Sequence, residues 1–390
     1  MNSVVNLAMA EDSGVGRIAF IDLKAQQTRI RKRIEARLSA VLDHGKYIAG
    51  PEITELEDLL AARTGASDVV ACASGTAALI IPLLAEGIGQ GDAVFLPAFT
   101  YNATANAVIL SGATPIFVDI DPATFNLDAE DLSRRVAAVK KAGSLRPACI
   151  IAVDLFGAPA NYEKISKIAA ADNMFLMADA AQSFGARSGD TAVGALAPAT
   201  ATSFFPGKAL GAYGDAGAVF ATDPVRAERW RSIRWHGTDD ARKTSVRVGF
   251  NGRMDSFQAA VLLEKLAIFD DELRAREKVA ERYVSALQEV CTTQSHVPGS
   301  QSGHSYFAVR VKNRDQVASQ LKARGVPTAI YYSTPLHKMP AFEAFAPKGG
   351  LPNTDAVASD ILALPMHPYL SEAQVEYICN AMTDTLSSLE

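Results

Sequence analysis

The chain is poor in cysteine, and what it has does not cluster. Cys72, Cys149, Cys291 and Cys379 lie far apart and form no CxxC spacing. That excludes a disulfide framework or a zinc site as the reading and predicts reduced thiols in a cytoplasmic protein. Histidines are as sparse, six scattered residues with no HExxH pair, so no metal is expected. Basic residues do not dominate either. A formal net charge of -5 argues against a general nucleic-acid or acidic-membrane binder, while leaving room for a local basic pocket. No apolar run reads as a membrane span. The most apolar stretch, Val69 to Ile88, is interrupted by Ser74-Gly75-Thr76 and by Pro82, and reads as a strand, a tight turn and a buried helix. Residues 1–16 carry Glu11 and Asp12 and lack a basic start followed by an apolar run, so they do not read as a signal peptide. No GxGxxG follows a strand, and no dinucleotide is expected. Pro206-Gly207-Lys208-Ala209 resembles a Walker loop only in part, because Thr202 stands where Gly is needed and Ala209 where Ser or Thr is.

What is present is an ordinary globular composition spread over 390 residues, more than one hydrophobic core usually serves. A helical pattern runs from Arg17 to about Ala61, with Ile30, Ile34, Leu38 and Leu42 spaced for one apolar face. Short apolar runs then alternate with helical stretches. The strand candidates are Val69–Ala73, Ala93–Leu96, Thr114–Val118, Cys149–Val153, Phe175–Ala178, Thr200–Phe204 and Ala218–Ala221. Their nearly continuous hydrophobicity predicts an α/β fold with a mostly parallel central sheet covered on both faces. After Gly252 a long helical segment, Ser256 to about Val290, leads to a strand at Tyr306–Val311 and a helix near Gln316–Arg324. The expectation is a large domain over 1–261 and a smaller C-terminal α/β domain over 262–390.

Residues able to do chemistry sit at the ends of these strands. Asp179 follows Phe175-Leu-Met-Ala178. Lys208 follows the run ending in Phe205, Ser74-Gly75-Thr76 follows the first strand and opens a helix, and Tyr101 follows the strand ending at Leu96. Carboxyl ends of strands form the ligand crevice of open α/β sheets. Each residue alone has a plain explanation: a solvated lysine, a helix-capping Asp, a turn, a packed Tyr. Together they match what pyridoxal 5′-phosphate needs. The cofactor requires a lysine amine and a carboxylate that keeps its pyridine nitrogen protonated. Backbone N–H groups at a helix start suit its phosphate, and a flat aromatic suits its ring.

Those residues fall within longer motifs: Phe20-Ile-Asp-Leu23, Gly50-Pro-Glu52, Ser74-Gly-Thr76, Asp179-Ala-Ala-Gln182, Ser203-Phe-Phe-Pro-Gly-Lys208, Gly214-Asp-Ala-Gly217 and Gly249-Phe-Asn-Gly-Arg-Met-Asp255. Tyr332-Ser-Thr-Pro-Leu-His-Lys338 and Leu364-Pro-Met-His367 complete them. On these the chain resembles the DegT/DnrJ/EryC1/StrS family of pyridoxal-phosphate-dependent sugar-nucleotide aminotransferases, over nearly its whole length. The resemblance implies the fold-type I aminotransferase fold. It implies Lys208 as the Schiff-base lysine, Asp179 on the pyridine nitrogen and Gln182 near the ring. Gly75, Thr76 and Ser203 are implied at the phosphate, and Tyr101 stacked on the ring. Asn251 is implied to reach the cofactor phosphate of a partner subunit, since the family's sites lie at a homodimer interface. Glutamate is the implied donor and a nucleotide-linked keto-sugar the acceptor. Ser183-Phe-Gly-Ala186, Ser203-Phe-Phe-Pro206 and Arg247-Val-Gly249 look most like relatives that aminate C3 of UDP-linked 3-keto-hexuronates. Arg253 then pairs with the sugar carboxylate, or serves as a structural arginine bonded to backbone. Tyr331 stands where many such relatives have His, before the matching Tyr332, which keeps a 4-keto-6-deoxy sugar open as the alternative acceptor. His236 and His337 are candidates for touching sugar or diphosphate, or for structural roles. A regulator that binds the cofactor without turnover is the competing class, and the acidic charge and lack of a DNA-binding extension rank it lower.

Overall fold

A computed structural model describes residues 15–389; residues 1–14, most of the stretch read for a signal peptide, lie outside the described residues. The central sheet has seven strands: β1 (Asp68–Cys72), β2 (Asp92–Pro97), β3 (Thr114–Val118), β4 (Arg146–Val153), β5 (Phe175–Asp179), β6 (Ala199–Ser203) and β7 (Gly217–Ala221). Their order is β1-β7-β6-β5-β4-β2-β3. Only β7 runs against its neighbours, pairing antiparallel with β1 and β6, while β2–β3, β2–β4, β4–β5 and β5–β6 are parallel. The strands are buried almost throughout because helices cover both faces, which is why they read as unbroken apolar runs. Each expected strand is present, shifted by at most a few residues at its ends.

Two helical expectations are corrected. The N-terminal pattern is two helices, Leu23–His44 and Pro51–Thr64, because the first ends at Gly45 in the left-handed region and Pro51 begins the next. Ile30 and Ile34 are buried as expected, but Val41 completes the face and Leu42 is 60% exposed. The long segment after Gly252 is likewise two helices, Ser256–Leu266 and Phe269–Leu287, broken at Ala267-Ile268. The first packs on the N-terminal helices beside the sheet. The second shares a separate core, including Tyr283, Leu287, Val309, Leu321, Leu364 and Ile378, with the C-terminal elements. There a three-stranded antiparallel sheet is formed by Thr292–Thr293, Phe307–Arg310 and Ile361–Leu364.

Helix Gly75–Ala85 shows how burial overrides local preference. Pro82 lies inside it, at a cost of about 3 kcal/mol. Leu79, Ile81 and Leu83 on the same helix are buried, each contributing about 1.5–3 kcal/mol, so the helix persists. Its start sits at the carboxyl end of β1 and faces the ends of β5 and β6. Among the described residues no helix is long and apolar enough to cross a membrane.

Candidate active site

The carboxyl ends of the central strands and the starts of helices Gly75–Ala85 and Asn102–Leu110 enclose a cavity of about 450 Å³. Asp179, the last residue of β5, lies on its floor and is 5% exposed. Its Oδ2 accepts the Thr104 hydroxyl at 2.8 Å and its Oδ1 accepts the Ala181 N–H at 3.2 Å. Burial pushes this carboxyl up, opposed by those two donors and by the positive charge of Lys208. Lys208 is on the turn after β6, and burial pushes its amine down against the pull of Asp179. Amine and carboxylate face the same cavity without forming an ion pair among the described residues.

The rim is built by close approach. Gly75 lies against β6 so tightly that a Cβ there would fall 2.7 Å from the Ser203 Cβ. Ser74 caps the helix by accepting the Ala77 N–H at 3.1 Å. The N–H groups of Gly75 and Thr76 therefore point free at the helix start, where the helix dipole favours an anion. Ser203 and Thr76 also line the cavity. Gln182 is buried with both ends of its amide engaged: Oε1 accepts the Phe156 N–H at 2.6 Å and Nε2 donates to the Tyr332 hydroxyl at 3.0 Å. Phe156 holds a positive φ of 61° to make that bond, a backbone state that a bulky residue rarely adopts away from a functional turn.

An aromatic wall closes the other side. Tyr101 is 59% exposed at the mouth, its ring 6.3 Å from that of Tyr332. Tyr331 packs on Tyr306 at 4.8 Å between ring centroids. Sequence reasoning missed Thr104, Tyr306 and Ile21, all of which line the cavity. Thr104 was accessible by spacing, since it lies one helical turn beyond Tyr101. Ile21 sits in the N-terminal motif Phe20-Ile-Asp-Leu23, whose backbone is pinned beside the site by bonds from Met366 N–H to the Phe20 carbonyl and from His367 Nε2 to the Ala19 carbonyl.

Asn251, Arg253, His236 and His337 are not among the residues lining this cavity. His337 is buried 3.1 Å from Asp355. His236 is exposed at the start of a loop, residues 236–250, that leaves the end of helix Pro224–Arg234 and returns beside it. Asn251 and Arg253 follow that loop. Arg253 Nε donates to Asn251 Oδ1 at 2.8 Å and its guanidinium lies 4.5 Å from the Trp235 ring centroid. Its terminal nitrogens bond no protein group among the described residues. The amide nitrogen of Asn251 is left as a free donor.

A larger surface cleft, of about 870 Å³ beside Arg63, Arg187 and Lys278, lacks a buried amine facing a buried carboxylate. The comparisons with known proteins point to the same chemistry as the smaller cavity. The UDP-2-acetamido-2-deoxy-3-oxo-D-glucuronate aminotransferase of Pseudomonas aeruginosa is 45% identical over 368 residues, 94% of this chain and 100% of that protein. A DegT DnrJ EryC1 StrS aminotransferase from Brucella abortus, solved by crystallography, superposes with a TM-score of 0.92 at 45% identity, covering 94% of this chain and 99% of that one. NtdA from Bacillus subtilis, solved with bound cofactor PMP, superposes with a TM-score of 0.86 at 27% identity, covering 96% of this chain and 86% of that one. The profile of the DegT/DnrJ/EryC1/StrS aminotransferase family matches residues 28–383, and the chain belongs to that family.

Proposed function

We propose that this aminotransferase moves an amino group from glutamate to C3 of a UDP-linked 3-keto-hexuronate, using pyridoxal phosphate held by Lys208, in a cytoplasmic homodimer with shared sites. The observation that carries the reading is the buried amine of Lys208 and the buried carboxylate of Asp179 facing one cavity, with a helix start at its rim. The residues present fit the cofactor. The cavity separates amine from carboxylate, its rim offers the free N–H groups of Gly75 and Thr76, and the Asp179 carboxylate has one oxygen held by Thr104. When bound, pyridoxal phosphate supplies an electron sink for the carbon that loses its proton.

The chain's own groups do the rest. Lys208 would hold the cofactor through its Nζ, and that amine, once freed, would take the proton from the donor Cα. Burial, by lowering the affinity of that amine for protons, suits it to act as a base. Asp179, kept in place by Thr104 and the Ala181 N–H, holds the proton on the pyridine nitrogen. Tyr101 would stack on the ring, Gln182 would sit near its 3-oxygen, and the aromatic wall of Tyr306, Tyr331 and Tyr332 would exclude water from the acceptor side. In the second half of the cycle the same amine would run the transfer in reverse, delivering a proton to the acceptor carbon that gains the amino group. The division of the chain at Leu262 belongs to the same reading, with the cavity on the large domain and the wall of tyrosines supplied from the smaller one.

Arg253 names the acceptor. A guanidinium with both terminal nitrogens free is a bidentate partner for a carboxylate. Asn251 and Arg253 lie outside their own cavity and would reach the partner's, where the Asn251 amide would donate to the cofactor phosphate. The identity to the Pseudomonas aeruginosa enzyme supports a uronate acceptor. Arg253→Met should weaken a uronate acceptor by about 2–3 kcal/mol in kcat/KM and an uncharged 3-keto or 4-keto-6-deoxy sugar much less. Equal losses on both would make Arg253 structural and remove the basis for a uronate.

A further inference from the structure

Trp235 stands at the base of the 236–250 loop, pairing its backbone with Asn251 in an isolated antiparallel bridge. The loop's ends are tied by His236 N–H to the Phe250 carbonyl and Gly252 N–H to the Arg234 carbonyl. The crossing is so close that a Cβ at Gly237, whose φ is +72°, would fall 1.9 Å from the Arg247 carbonyl oxygen. The backbone under Trp235 is thus fixed. Two guanidiniums lie over its indole, Arg242 at 3.7 Å and Arg253 at 4.5 Å from the ring centroid. Neither pairs with an acid among the described residues, although the chain carries more acids than bases.

We propose that Trp235 is the positioning residue for Arg253 and so a determinant of acceptor specificity. This rests on the reading of Arg253 as the partner of the acceptor carboxylate. An arginine side chain has several freely rotating bonds, and fixing them on binding weakens the contact. Here the guanidinium carbon lies over the indole and Asn251 Oδ1 holds its Nε. The two terminal nitrogens, the pair that matches a carboxylate, are left presented together. The indole is the strongest cation platform among side chains. Arg242, on the same ring, adds a second positive charge, one that would act on the diphosphate that uronate and uncharged acceptors share and so drops out of their comparison. Asn251 couples the two jobs of the loop: its oxygen orients Arg253 while its nitrogen stays free.

The test compares holoenzyme saturated with cofactor on two UDP-linked acceptors, a 3-keto-hexuronate and the corresponding uncharged 3-keto-hexose, or in reverse on the matching 3-amino sugars. The quantity read is the ratio of their kcat/KM values, in which any loosening of cofactor cancels. Trp235→Leu should lower the preference for the uronate about three- to tenfold, mainly through its KM. Trp235→Phe, which keeps a flat ring, should recover most of it. In an Arg253→Met background Trp235→Leu should lower the ratio no further, because the stack then has nothing to orient. If Arg253→Met abolishes the preference while Trp235→Leu leaves it at the wild-type value, the positioning role is overturned and the carboxylate contact stands. If Arg253→Met itself leaves the preference unchanged, the carboxylate contact fails and the positioning role falls with it.

Discussion

Burial acts on Asp179 and Lys208 in opposite senses. It raises the carboxyl and lowers the amine, each restrained by the charge of the other. Thr104 and the Ala181 N–H supply the donors that keep the carboxylate charged in a buried place. Asp179→Asn should therefore fold and retain cofactor but slow the glutamate half-reaction on the order of a hundredfold or more, because an amide cannot hold a proton on the pyridine nitrogen. Thr104→Val removes one hydrogen bond to a charged group, worth about 1.5–3 kcal/mol, and should cost less. Stopped-flow measurement of the half-reaction checks both, and a rate for Asp179→Asn within a few-fold of wild type would return the residue to a capping role.

At the scale of elements, the N-terminal segment is latched to the C-terminal motif beside the cavity. His367 is the latch: its Nε2 donates to the Ala19 carbonyl and its Nδ1 accepts the Tyr369 N–H. The second bond needs the neutral ring, because a protonated Nδ1 cannot accept, and burial lowers its pKa from the ordinary 6.5 to about 4. Between those values the unfolded chain binds the proton and the folded chain does not. The stability tied to His367 is thus complete above pH 6.5 and is lost as pH falls through about 4, an amount of about 3 kcal/mol. Burial also lowers His296 and His337, so the acid limb has more than one source. His367→Gln keeps a donor but does not titrate. Denaturant unfolding from pH 7 to pH 4 should show a shallower loss in that variant, and an unchanged slope would remove His367 from the latch. The strands were legible because strands buried on both faces are unbroken apolar runs. Thr104 and Tyr331 were within reach of spacing and motif. The break before Pro51 was marked by Gly45 and Gly50-Pro51, but the break at Ala267 was not legible, since the apolar pattern continues across it, nor was Ile21, whose place depends on a bond from a residue more than 300 positions away.

For the whole molecule, the cavity of one chain holds Lys208, Asp179 and the helix start but not Asn251 or Arg253. Near its mouth Tyr101 and Phe205 are 59% and 55% exposed, and Val248 on the projecting loop is 83% exposed. Apolar surface of this kind suits a partner subunit. Mixing Lys208→Ala with Asn251→Asp chains, each poor alone, should restore activity towards about half of wild type per mixed dimer, since two-fold symmetry leaves one site with neither defect. Confirmed mixed dimers that stay inactive would place Asn251 in its own chain's site or in none. The most direct test of the account is acceptor turnover. Enzyme carrying the cofactor in its amine form would be offered a panel of nucleotide-linked keto-sugars, with return of the aldehyde-form absorbance as the signal and glutamate added for repeated cycles. The account predicts repeated turnover with a UDP-linked 3-keto-hexuronate, and none with that acceptor for Lys208→Ala. Full turnover by Lys208→Ala, or no reaction of the wild-type enzyme with any nucleotide-linked keto-sugar, would contradict it.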